Sequence, residues 1–537
     1  MNKSRIFSAL LSVALVGAVS TFANAQKANW QNLDLKSDSI FGISTEKAYK
    51  ELLKGKKSVK VIVAVNDGGV EASHEDLKRI MWVNTKEIAG NGKDDDKNGY
   101  IDDINGWNFI GGPKESVNFE TLELTRLVRR DQARFANTTD ANVAEKDKKD
   151  FEVFKAERAD LEKQLAEAKE NLAGITGFKT ALDAVVKKIG KENPTVEDFK
   201  NFKPSTEVEG RIQNVLSQQL EKGSFKDFYE DQIVEGLDYY TRQVNYNLNL
   251  DYDPRAIVGD DPNNVKEKFY GNNDIAGPDA MHGTHVAGII AADRTNKLGI
   301  LGVADNVAIM GVRCTPNGDE RDKDVANAIR YAVDNGAKVI NMSFGKAYSW
   351  NKAIVNEAMK YAVSKDVLIV QAAGNENKNI DVENNFPNHK DLDEKTIASW
   401  ITVGASGPKD DETLKASFSN FGKTQVDVFA PGVQIYSTVP GSKYKNLDGT
   451  SMASPVVAGL AGLIRSYYPK LTAAQVKEII VKSVTKVNHN VEYAKGEEPG
   501  AEKVSIPFSD LCISGGIVNT YNALKLAATY SGKAVAE

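Results

Sequence analysis

The chain has 537 residues, 41% of them hydrophobic, with 68 Lys and Arg against 74 Asp and Glu and a formal charge of −6. That length allows a large core and more than one compact unit. A mildly acidic balance without a basic stripe argues against nucleic-acid binding and suits a soluble protein.

The first residues read as an export signal. Lys3 and Arg5 open it, an apolar run follows from Ile6 to Phe22, and Ala23-Asn24-Ala25 has the small-x-small form that signal peptidases accept. Cleavage is expected after Ala25, leaving no membrane anchor. The apolar run sits at the short edge of the ~17–25 residues a spanning helix needs, and Gln26 rather than Cys follows it. No later segment is long and apolar enough to cross a bilayer. The mature protein is therefore expected in the periplasm or the medium. Export permits a disulfide between Cys314 and Cys512; the sequence leaves open whether they pair or stay as buried thiols.

Residues 59–66, Val-Lys-Val-Ile-Val-Ala-Val-Asn, make a β-branched run suited to a strand buried in a parallel sheet. Asp67 ends it, at the carboxyl end where open α/β sheets place their ligands, although Asp67-Gly68 alone would also make a turn. Asp94, Asp96 and Asn98 then fall at positions 1, 3 and 5 of a calcium loop, with Gly99 at 6, the Tyr100 carbonyl at 7 and Asp102 at 9. Asn105 stands where an EF-hand has Glu, and no clear helices flank the loop. So many clustered carboxylates repel one another without a cation, so structural Ca2+ is the expected cofactor, with none expected for catalysis.

Between 114 and 247 charged residues dominate and glycines are few. Leu161, Leu165, Ala168 and Leu172 share one helical face. Residues 205–247, with Ile212, Val215, Leu216 and Leu220, continue the helical pattern. This stretch reads as a solvated helical insert within an α/β domain. The expected organisation is 1–25 signal, 26–113 first part, 114–247 insert, 248–530 second part and 531–537 tail.

After the insert comes His282-Gly283-Thr284-His285-Val286-Ala287-Gly288, whose small residues suggest a closely packed helix. His282 and His285 share a face at a spacing of three, but no Glu lies between them as in a zinc protease. Apolar runs at 307–313, 338–342, 367–372 and 400–404 alternate with helical patterns at 323–335 and 351–364. That alternation predicts a doubly wound, mostly parallel sheet with helices on both faces. Asn375 follows one such strand, where its amide is a candidate oxyanion donor in the same crevice, although alone the segment is just a turn. Gly449-Thr450-Ser451-Met452-Ala453-Ser454-Pro455 opens an apolar helix, with Pro455 tolerated in its first turn. Ser451 stands where free N–H groups favour negative charge, a position that an ordinary N-cap also occupies.

Taken together, these segments resemble the subtilisin-like serine peptidase (subtilase) family. The His282–Gly288 and Gly449–Pro455 motifs are specific signatures, and Asp, His, Ser is that family's chain order. Ser343-Phe344-Gly345 resembles its substrate-pairing strand, and 416–422, 428–432 and 515–519 resemble further motifs. The resemblance covers about 26–112 and 250–525. It implies an exported endopeptidase acting on protein or peptide substrates. In that reading Ser451 attacks, His282 is base and then acid, Asp67 orients His282, and Asn375 with the Ser451 N–H holds the oxyanion. Ser343, Phe344 and Gly345 would bind substrate backbone, and the loop 376–388 would line the primary pocket. Asp76, with the Asn296 loop, resembles the family's tight calcium site.

Two residues depart from the pattern: Gly68 replaces a usual Ser or Thr, and Asn66 a usual apolar residue. Only about 40 residues separate Ala25 from Asp67, so no long inhibitory propeptide is expected. The alternative is a degenerate protease fold that acts as a binding or assembly protein through its insert.

Overall fold

The computed structural model describes residues 27–221, 223–494 and 502–531. The export signal at 1–25 and nearly all of the tail at 531–537 lie outside the described residues. Two compact units emerge: one from Lys27–Glu123 with 253–494 and 502–531, the other from Leu124–Tyr252.

The first unit is built on a nine-stranded sheet. Its strands are β1 (Val61–Asp67), β2 (Gly106–Asn108), β3 (Val307–Arg313), β4 (Val339–Met342), β5 (Leu368–Ala372), β6 (Trp400–Ser406) and β7 (Val428–Pro431). A small hairpin, β8 (Ile435–Val439) and β9 (Lys443–Leu447), follows, then β10 (Thr485–Lys486), the separate pair β11 (Asn490–Ala494) and β12 (Lys503–Pro507), and β13 (Gly516–Ile517). The sheet order is β10-β13-β7-β6-β5-β4-β1-β3-β2. Every pairing is parallel except β10 with β13. The strands expected from β-branched runs appear, with ends displaced by one or two residues.

Burial on both faces explains the near-continuous apolar character of these strands. Along β1, Val61, Val63 and Val65 enter one core, while Ala64 enters the other. The first core also holds α1 (Met281–Ala291). The second holds α2 (Asp322–Asp334) and α3 (Lys352–Ser364). Helix α4 (Thr450–Tyr467) packs against α1 and against β1, β4, β5, β6 and β7. Two further helices, α5 (Ala473–Lys482) and α6 (Thr520–Tyr530), close the first face.

From β1 the chain reaches β3 on one side and then returns to place β4 on the other. This reversal makes a crevice at the strands' carboxyl ends, where α/β sheets bind ligands. Asp67 ends β1 there, and Ser343 follows β4.

The Leu124–Tyr252 unit is helical. A 42-residue helix, Lys148–Ile189, buries Phe151, Phe154, Leu161, Ala168, Ile175, Leu182 and Val185. Leu165 and Leu172, expected on the same face, are only half-buried. Leu182 and Val185 pack with Phe199, Ile212, Leu216, Leu220, Phe225 and Ile233. The stretch 205–247 is not one helix: Glu207–Gln219 is followed by short helical pieces, the first starting after the Ser224 cap. Among the described residues no helix is long and apolar enough to cross a membrane. Cys314 and Cys512 are both buried, free thiols, in separate hydrophobic clusters.

Candidate active site

Helix α1 lies directly over the end of β1 because Gly283 has no side chain. A Cβ there would stand 3.1 Å from Asp67 Oδ1 and would overlap the Gly69 carbonyl. This close approach sets the ring of His282 against Asp67. His282 Nδ1 and Asp67 Oδ1 are 2.7 Å apart, and the Gly68 N–H donates to the same oxygen at 2.7 Å. The Asp67 side chain is 3% exposed and that of His282 42%. With Nδ1 donating, Nε2 is left as the acceptor facing solvent. Burial of the ring acts to lower the His282 pKa. The charge and hydrogen bond of Asp67, helped by the charge of Asp279, outweigh it and hold the pKa above the ordinary 6.5.

His285, by contrast, turns into the core. Its Nε2 donates to the Lys445 carbonyl at 3.0 Å, and burial pushes its pKa down to about 4. It is a neutral packing residue and shares no ligand position with His282.

Ser451 sits in the first turn of α4. Its Oγ donates to the Ser343 carbonyl at 3.1 Å, and Ser343 Oγ donates back to the Ser451 carbonyl at 2.9 Å. Asn341 Nδ2 donates to Ser343 Oγ, and Ser454 Oγ donates to Asn341 Oδ1, both at 2.9 Å. This buried chain fastens the start of α4 to the end of β4. Asn375 is fixed from the same helix. Its Oδ1 accepts both the N–H and the hydroxyl of Thr450, each at 2.9 Å, and Thr450 Oγ1 accepts the Gly374 N–H at 3.1 Å. With Oδ1 so occupied, the Asn375 amide nitrogen is the end left to donate beside the Ser451 N–H. Such a pair of fixed donors can stabilise an oxyanion.

Beyond Ser343, Phe344 and Gly345 continue outward, and Lys346 exchanges both backbone hydrogen bonds with Phe386, at 2.9 and 2.8 Å. A cavity of about 250 Å³ opens beside His282, lined by Asp67, Asp279, Arg313, Ser343 and Phe344 among others. Arg313 donates to the carbonyls of Gly68 and Val117 at 2.6 Å and to Asn108 Oδ1 at 3.2 Å. Burial pushes its pKa down to about 10.

The model of the subtilase family matches residues 58–497. The chain belongs to the subtilase family. It is 39% identical over 244 residues to the thermophilic serine proteinase of Bacillus sp. (strain AK1), covering 45% of this chain and 52% of that protein. It is 37% identical over 219 residues to subtilisin DY of Bacillus licheniformis, covering 40% and 74%. It is 41% identical over 217 residues to thermitase of Thermoactinomyces vulgaris, covering 40% and 71%. The chain thus spans about half the length of the first of these relatives.

Two departures of this subtilase from its family pattern have structural counterparts. Asn66 is buried, and its amide atoms make no hydrogen bond among the described residues. Gly68 brings no hydroxyl of its own to Asp67, whose Oδ2 is likewise unpartnered among the described residues.

The acidic loop draws in a residue from outside the motif. Carboxylate oxygens of Glu87, Asp94 and Asp96 lie within 4.8 Å of one another. Asp102 is not part of that set; its oxygens accept the Asn91 and Gly92 N–H groups at 3.2 and 2.9 Å. Asn98 Oδ1 accepts the Tyr100 N–H at 2.8 Å. Three converging carboxylates are a hard-oxygen set that fits Ca2+. Glu87 lies seven residues before Asp94, and its place in the cluster had no signal in the loop pattern. Asp76 is fully buried; Asn296 Nδ2 donates to it at 2.7 Å and the Ile300 N–H at 3.4 Å. Burial raises its pKa despite these bonds.

Proposed function

We propose that this subtilase is an exported serine endopeptidase with Asp67, His282 and Ser451 as its catalytic triad. The 2.7 Å hydrogen bond between Asp67 and His282, at the crevice where α4 begins, carries the reading. It orients the imidazole and stabilises the cation that forms when Nε2 takes a proton. Ser451 Oγ leaves the Ser343 carbonyl, passes its proton to His282 Nε2 and bonds to the substrate carbonyl carbon. The oxygen that becomes negative is received by Asn375 Nδ2 and the Ser451 N–H. His282 then gives its proton to the departing amine, and water repeats the sequence on the acyl-enzyme. Losing one such side-chain donor costs roughly 10²–10³ in kcat, the magnitude it carries in a subtilisin.

The substrates are proteins or peptides whose extended backbone lies along Ser343, Phe344 and Gly345. Export is supported by the signal-like pattern of residues 1–25. A structural Ca2+ would be held by Glu87, Asp94 and Asp96, where it would neutralise their mutual repulsion; Asp76 with Asn296 is a second candidate. In this reading 114–247 interrupts a single protease domain.

A serine-directed phosphonate should label Ser451, and the purified protein should degrade casein. Ser451→Ala should abolish both. Casein turnover that survives in Ser451→Ala overturns the proposal.

A further inference from the structure

We infer that Lys346 closes one end of the substrate groove, which then holds three residues before the cleaved bond and excludes a fourth. The inference rests on the peptidase reading above, with the backbone before the cleaved bond lying along Ser343, Phe344 and Gly345. It adds a limit on how much substrate that groove takes.

The groove has two walls. The cavity beside His282 lies between Thr315–Gly318, which follow β3, and Ser343 with Phe344, which follow β4. Strands β3 and β4 are not neighbours in the sheet; β1 stands between them and ends at Asp67. Past Asp67 the two walls run on with the place of one strand open between them. The outer two of three neighbouring strands are about 9.5 Å apart, which admits one extended peptide.

That gap is bridged at Lys346. Its Nζ donates at 2.6 Å to the carbonyl of Glu320, two residues past Gly318 on the opposite wall. It also pairs with Glu123 Oε2 at 2.9 Å and with Asp322 Oδ1 at 2.8 Å. The Lys346 and Glu123 side chains are each 1% exposed and that of Asp322 6%. Extended chains advance by the same rise, residue against residue. The residue giving the cleaved carbonyl lies against Ser343, the one before it against Phe344 and the third against Gly345. A fourth would meet the Lys346 side chain, at a point where the Glu320 carbonyl already holds a donor.

Both sides of the bridge are fixed. Lys346 exchanges both backbone hydrogen bonds with Phe386. Opposite, the Glu123 N–H donates to Asp319 Oδ2 at 2.8 Å, the Glu120 N–H to the Asn317 carbonyl at 3.1 Å, and Arg321 Nε to Glu120 Oε2 at 2.9 Å. Asp322 Oδ2 accepts the Ser349 hydroxyl and the Asn351 N–H at 2.8 and 2.6 Å. A substrate residue that displaced the ammonium would separate two buried carboxylates from their cation, which is strongly unfavourable.

The test uses acetylated alanine peptides with one chromogenic anilide leaving group and two to five residues before the cleaved bond. With the full chain, kcat/KM should rise from two residues to three and gain nothing from three to four. K346A should make the fourth residue worth about tenfold, the scale of one or two added backbone hydrogen bonds. If K346A does not fold, as judged by a thermal melt, K346A/E123Q takes its place, since it removes one of the two charges left behind. A parent that gains about tenfold from the fourth residue, or an unchanged ratio of four to three in a folded variant, overturns the inference alone. No phosphonate labelling and no turnover of any peptide removes the functional reading and the inference together.

Discussion

Asp67 places two donors on one oxygen: His282 Nδ1 and the Gly68 N–H both meet Oδ1 at 2.7 Å, while Oδ2 is buried without a hydrogen bond among the described residues. An unsatisfied buried acceptor costs about 1–3 kcal/mol. Gly68 does not adopt a positive φ, and a Cβ there would stand 3.3 Å from the Thr315 carbonyl, so a small side chain needs only a slight shift. Gly68→Ser would put a hydroxyl beside Oδ2. It should raise the melting temperature by a few degrees and kcat by a few-fold. Gly68→Ala has the same backbone effect without the hydroxyl and separates the two causes. If Ser and Ala behave alike, the lone oxygen is not the cost.

The same pair governs pH dependence. Because the pKa of His282 is raised, the base is neutral only above the ordinary 6.5. Activity should rise with pH through that shifted value and not before it. Removing Asp279 takes away the weaker of the two charges that raise the pKa, so Asp279→Asn should move the acid limb of kcat/KM to lower pH. Asp67→Asn should remove the larger charge and present the wrong tautomer, with a loss of about 10⁴ in kcat. An acid limb that stays fixed in Asp279→Asn would refute the electrostatic account.

Much of this was legible in the sequence because buried parallel strands leave an uninterrupted β-branched signature, as in β1 and β3. Asp67 and His282 were also readable, since each lies in a compact local motif. Residues that meet across long sequence separations without such a motif were not. Asn341 and Ser454 are 113 positions apart, and nothing in either neighbourhood signals that they meet. Glu87 joins the acidic loop through folding alone. In the insert, Leu165 and Leu172 fit a helical stripe, yet the residues buried along that part of the helix are Leu161, Ala168 and Ile175, and both leucines are only half-buried.

Calcium should stabilise the fold measurably. A cation that binds only the folded state adds about 2.7 kcal/mol at a hundredfold excess over Kd. Chelation should therefore lower the melting temperature, and added Ca2+ should restore it. In Glu87→Gln the response should shrink, because one of three converging carboxylates loses its charge. A full response in that variant would assign the effect to the Asp76 and Asn296 region instead.

The last prediction concerns a buried cation near Asn375. Lys415 is 3% exposed, and its Nζ donates to Asn377 Oδ1 at 2.8 Å and to the Ala416 carbonyl at 3.0 Å. It makes no ion pair among the described residues, and burial pushes its pKa from 10.5 down to about 7. Between those two values the unfolded chain binds the proton and the folded chain does not, so folding stability must rise with pH across that window. Below about 7 both states are protonated, and the full cost of burying the charge is present. Lys415→Met removes that cost and loses the two hydrogen bonds and the cation–π contact of Nζ with the Phe421 ring, 5.5 Å from its centroid. It should melt several degrees above the parent near pH 6, with the advantage fading as pH approaches 10. The comparison belongs in a Ser451→Ala background, so that self-digestion does not set the apparent melting point. A difference that stays constant with pH would mean that Lys415 remains charged in the folded protein and is compensated by its oxygen ligands.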